Sequence, residues 1–109
     1  MKSMSWNKIY RIRDALLTVS KDVYHFEALK KKDKYIVWAE DGEGNSGHAD
    51  NKKNQVIQGT IDYFTKDDAD PVVEEIQEAL ELYEISYKLN SVQHEDETEY
   101  IHYEWIWEV

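Results

Sequence analysis

Tyr35-Ile36-Val37-Trp38-Ala39-Glu40, followed after a polar stretch by Gln55-Val56-Ile57-Gln58-Gly59-Thr60-Ile61-Asp62-Tyr63-Phe64-Thr65, decides how this chain is read. Both runs are dense in β-branched and aromatic residues, which pack well on a pleated surface, so both are expected to be strands. Between them lies Asp41-Gly42-Glu43-Gly44-Asn45-Ser46-Gly47-His48-Ala49-Asp50-Asn51-Lys52-Lys53-Asn54. A hairpin is closed by about two to five residues. A compact domain that keeps a much longer, Gly-spaced polar tip commonly uses it for contacts. Gly42, Glu43, Gly44, Asn45, Gly47, His48, Asp50, Lys52 and Lys53 are therefore the candidate residues for contact with a partner or a neighbouring subunit.

Outward from this hairpin the order is helix, strand, strand, strand, helix, strand, strand. Trp6, Ile9, Ile12, Leu16 and Leu17 recur at mostly three- and four-residue spacing, a helical stripe fading near Ser20, with Ser5 as its N-cap. Residues 23–28 read as a strand with Tyr24, Phe26 and Ala28 on one face, and residues 30–34 as the turn into the next. After the third strand, Asp70 suits an N-cap and Pro71 the first helical position. Val72, Val73, Ile76, Ala79, Leu80 and Tyr83 then share a face, while Glu74, Glu75, Gln77, Glu78 and Glu81 cover the other side. Residues 86–94 and 100–109 close the chain as strands around the turn 95–98. In the last strand Ile101, Tyr103, Trp105, Trp107 and Val109 alternate with polar residues, and Ile106 breaks the pattern. Gly59 leaves a gap in the apolar face of its strand, expected at a bulge or a close approach of another chain's backbone. The expected fold is one α+β domain over residues 1–109. It has a mostly antiparallel sheet of five strands, connected mainly as hairpins, with both helices on one face.

A chain of 109 residues with 41% hydrophobic and 13% aromatic content supports a core without staples. It contains no cysteine, which excludes disulfides, a thiol nucleophile and thiolate metal sites. No stretch resembles a signal peptide or a membrane span, so a soluble protein of intracellular origin is expected. The formal charge of −10 and pI near 4.7 oppose binding to nucleic-acid phosphates. Lys30-Lys31-Lys32 reads as a solvated turn.

Sites of chemistry are poorly supported. His94, Glu95, Asp96, Glu97 and His102 crowd one hairpin but lack recognised ligand spacing, and no functional metal is expected there. The acidic, Gly-containing start of the long loop lacks both the terminal Glu and the flanking helices of a calcium loop. Its glycines are not followed by the Lys and hydroxyl residue of a phosphate cradle, and no nucleophile elbow occurs. Trp38, Tyr63, Tyr103, Trp105 and Trp107 sit at strand period, as core aromatics do, with a subunit interface as their other use. Neither an enzyme nor a cofactor is expected.

The chain as a whole resembles the tail-terminator, or tail-completion, proteins of long-tailed bacteriophages and prophages. The resemblance is carried by Tyr35-Ile36-Val37-Trp38-Ala39-Glu40, Gly59-Thr60-Ile61-Asp62-Tyr63-Phe64-Thr65-Lys66, the helix after Asp70-Pro71, and Ile101-His102-Tyr103-Glu104-Trp105-Ile106-Trp107. It implies a structural protein with no catalytic residues. Such a protein assembles with itself into a ring, typically a hexamer, that caps the tail tube and joins it to head-connector proteins. It would be found in the host cytoplasm during assembly and then in the virion, with no membrane partner and no specific nucleic-acid binding. The alternative is a small acidic intracellular protein-binding or regulatory module, for instance an inhibitor whose acidic face mimics nucleic acid.

Overall fold

The computed structural model describes residues 6–44 and 56–109. Its elements are α1 (Trp6–Leu17), β1 (Val23–His25), β2 (Lys34–Glu43), β3 (Ile57–Thr65), α2 (Val72–Leu82), β4 (Ser86–His94) and β5 (Ile101–Glu108). The five strands form one sheet in the order β1-β2-β3-β5-β4, antiparallel except for the β1–β2 pair. This is the expected α+β architecture.

Alternation places the core. Along β3, Ile57, Gly59, Ile61, Tyr63 and Thr65 are buried, and every intervening residue is partly exposed. These residues share their face with Ile36, Trp38, Trp105 and Trp107, and the helices cover it with Ile9, Ile12, Ala15, Leu16, Ile76, Ala79 and Leu80. Trp105 donates from Nε1 to Oε1 of Gln77 on α2 at 3.0 Å, and Tyr10 of α1 meets Trp38 edge to face at 6.1 Å. On α1 the fourth core position belongs to Ala15; Trp6 and Leu17, expected in the stripe, are each 48% exposed. They lie at the helix ends, where the sheet no longer covers them.

Gly59 marks a close approach within its own chain, to the backbone of β2 and to a side chain of β5. A Cβ there would overlap the indole of Trp107 and the carbonyl oxygen of Ala39. The bulge lies opposite, on β2, where the register shifts between Glu40 and Gly42 and leaves Asp41 without a partner on β3.

The α2 ends follow standard capping chemistry. Asp70 Oδ1 accepts from the Val72 amide at 2.9 Å, and Pro71 has helical dihedrals. At the other end Glu84 takes a positive φ of 57°, with Glu84 N–H donating to Glu81 O and Ile85 N–H to Leu80 O, a Schellman motif. Arg11 of α1 donates to the carbonyls of Tyr83 and Glu84, which ties the two helices together.

Three expectations are corrected. Residues 23–28 form a strand only as far as His25, because Phe26 adopts a φ of 73° and ends it. The connection 26–33 does not make a hairpin: β1 runs parallel to β2, pairing Val23, Tyr24 and His25 with Ile36, Val37 and Trp38. The long loop also starts later than expected, since Asp41, Gly42 and Glu43 belong to β2.

Candidate functional site

The hairpin arm. The bulge at Asp41 lets β2 continue past the end of the expected strand, so Gly42 pairs with Gln58 and Glu43 with Ile57. Gly44 then donates its N–H to Val56 O at 2.8 Å, closing the described part of the arm. A Cβ on Gly44 would press on the side-chain ends of Val56 and Glu108, which lie alongside where β5 ends. Of the candidate contact residues, Gly42 and Glu43 are thus strand residues and Gly44 the first beyond it. Asn45, Gly47, His48, Asp50, Lys52 and Lys53 lie outside the described residues, as does the proposed N-cap Ser5.

The outer sheet face. Residues of β2, β3 and β5 that point away from the helices build a second, smaller aromatic cluster. Tyr35 stacks on Phe64 at 4.7 Å, and Tyr100 meets both edge to face. The connection 26–33 folds across this cluster, held by a hydrogen bond from the Tyr100 hydroxyl to Lys32 O at 2.6 Å. A groove of about 510 Å³ runs beneath it, with Phe26, Tyr35, Phe64, Tyr100, Asp62 and His102 on its walls. His102 stacks on Phe64 at 4.2 Å, and its Nε2 bonds diagonally across the ladder to Asp62 Oδ1 at 2.7 Å. The hydrogen bond to Asp62 raises the His102 pKa above its ordinary value, outweighing the opposing effect of burial. Burial pushes the Tyr35 hydroxyl up to about 12. An open groove of this kind can seat a side chain or an extended segment against aromatic rings.

The helix side carries a different histidine pair. His25 Nε2 lies 2.7 Å from Glu40 Oε1, and the imidazole is sandwiched between Trp38 and Phe26 at 3.9 and 4.1 Å. This fastens the short β1 to β2. His94 and His102, considered together in the sequence, are separated by the register: Gln93 opposes His102, while His94 opposes Ile101 on the other face. His94 bonds instead to Asp96 in its own turn at 3.2 Å.

A buried carboxylate joins sheet and helix. Asp70 Oδ2 accepts from the hydroxyls of Tyr63 at 2.6 Å and Thr65 at 2.7 Å, and Lys34 Nζ approaches to 3.4 Å. Burial alone would raise the Asp70 pKa. The hydrogen bonds from Thr65, Tyr63 and the Val72 amide, with the Lys34 charge, reverse this and hold it below the usual carboxylate value.

The two His–carboxylate pairs and the outer groove were not found in the sequence. Alternation does put Asp62 and His102 on the polar faces of their strands, but only the register makes them diagonal neighbours. On α2 the residues Glu74, Glu75, Glu78 and Glu81 are exposed and form the acidic outer face expected of it, whereas Gln77, expected among them, reaches the sheet and accepts from Trp105. No helix among the described residues is long and apolar enough to cross a membrane. Compared with known proteins, the sequence matches no family model, and no curated protein matches it.

Proposed function

We propose that the chain is a structural tail-completion protein of a phage or prophage. In this reading it is a ring subunit that closes the tail tube and provides the surface joining tail to head. The supporting observation is the one-sided build of the sheet. Both helices cover one face, which leaves a grooved outer face and two sheet edges among the described residues for contacts with other proteins. A subunit of this size encloses a channel only as part of a closed ring, in which each copy uses two different surfaces. The acidic α2 face suits a channel wall, since it repels DNA phosphates and limits sticking. The work is assembly, first in the host cytoplasm and then in the virion, and no catalytic step is assigned.

The test is electron microscopy of the purified protein alone and mixed with tail tubes that lack their completion protein. Rings at tube ends support the reading. Bare tube ends and isolated subunits contradict it, and would favour the second reading, an acidic protein-binding module. The exposed glutamate row on α2 is the observation behind that alternative.

A further inference from the structure

The connection 26–33, which crosses the outer groove, starts at a strained residue. Phe26 takes a φ of 73°, and Glu27 N–H donates back to His25 O at 3.0 Å, so Phe26 is the centre of a γ-turn of the strained, positive-φ kind. A bulky residue keeps such a φ only where its surroundings hold it. Here Phe26 N–H donates to Trp38 O at 2.9 Å, and the ring stacks on His25 at 4.1 Å. Past Glu27 that support ends. From Ala28 to Asp33 no backbone amide donates to another backbone group among the described residues. The two large apolar side chains of the connection, Phe26 and Leu29, are 60% and 84% exposed, so lying flat on the sheet buries little of either. The far end is fastened at Lys32. Its carbonyl accepts from the Tyr100 hydroxyl at 2.6 Å, and its Nζ pairs with Asp22 Oδ1 at 2.9 Å. A pair between Lys66 and Asp33, at 3.8 Å on exposed groups, adds little.

We infer that residues 27–33 form a lid over the outer groove, hinged at Phe26 and latched at Lys32 by Tyr100 and Asp22, which opens as a unit while the sheet stays folded. The lid belongs to a single subunit and does not depend on ring formation. A segment with few backbone hydrogen bonds and little buried apolar area opens locally at low free energy. Opening breaks the Glu27–His25 bond and frees Phe26 to leave its positive φ, so released strain offsets part of what the latch loses. β1 does not follow, because His25 keeps its stack on Trp38 and its bond to Glu40. Beneath the closed lid Tyr35 and Tyr100 are 4% and 9% exposed, although both line the groove. Opening therefore turns a shallow groove into one with an accessible aromatic floor.

Native-state hydrogen exchange on the full chain tests the lid, with the Glu27 amide reporting the hinge and the β3 amides reporting global unfolding. In the parent, Glu27 should exchange much faster than β3, at a rate that low denaturant leaves unchanged, because a local opening exposes little surface. Tyr100→Phe deletes only the latching hydroxyl and should speed Glu27 exchange roughly fivefold, about what one hydrogen bond contributes. Lys32→Gln, at an exposed position, should speed it about threefold, the range of a partly exposed ion pair, and serves if the first variant folds poorly. Glu27 exchange that rises with denaturant in step with β3 would mean that the connection leaves the sheet only when the domain unfolds, and would overturn the lid. Glu27 exchange untouched by either variant would mean that the turn at Phe26 frays by itself, uncoupled from the latch, and would overturn it too.

Discussion

Gly59 and Asp70 each do a job that one alternative side chain would undo. Trp107 fills the space above Gly59, and the Ala39 carbonyl closes its other side, so neither neighbour can yield by rotating a flexible chain end. Gly59→Ala should destabilise the fold by roughly 3 kcal/mol, the upper range of overpacking. An unchanged denaturation midpoint would mean that Trp107 does not occupy the gap. The gap itself was legible from the interrupted alternation of β3, but its occupant was not, because Trp107 arrives from a strand far along the chain. Asp70 was legible as a cap from the Asp-Pro pair. Its bonds to Tyr63 and Thr65 were not, since they depend on where β3 ends relative to α2. Asp70→Ala removes the cap and leaves two buried hydroxyls short of an acceptor, which should cost about 2–4 kcal/mol. The sign of the pH dependence follows from the lowered pKa. The Asp70 contribution is complete above the unfolded value of about 3.9 and is lost as pH falls through the lower folded value. Urea denaturation from pH 7 down to pH 2 should show the parent converging on the variant in that acid window. A constant difference between them would contradict the assignment.

At the scale of elements, periodicity identified both helices and located all five strands within a few residues, because each helix or strand buries a single apolar face. What it could not supply was pairing. The β1–β2 pair is parallel because Phe26 turns the chain at a positive φ and the connection 26–33 folds back over the outer face, anchored by Tyr100. None of those interactions is local in sequence. The long loop was read as starting at Asp41 because Gly42 and the acids look like turn residues; the bulge instead absorbs Asp41 and lets the ladder resume. The sandwich of helices and sheet is centred on Trp105, fully buried and bonded to Gln77 of α2. Trp105→Ala should cost roughly 3–5 kcal/mol, as large aromatic deletions in cores do. A loss well below 1 kcal/mol in chemical denaturation would place that ring outside the helix–sheet interface.

For the whole molecule, the central claim is assembly into a closed ring. The candidate contact loop was conspicuous in the sequence, whereas the outer groove emerges only once the strand order is fixed. Every subunit carries a formal charge of −10, so copies repel one another over distances longer than a contact. Salt shortens that range to about 8 Å at physiological strength, which weakens the long-range repulsion more than attraction between groups in direct contact. The most direct measurement is sedimentation velocity of the purified chain across protein concentration and salt. The account predicts subunits at low salt giving way, as salt and concentration rise, to one discrete closed species of several copies, most simply a hexamer. A single monomeric species under all conditions, unchanged by added tail tubes, would contradict it.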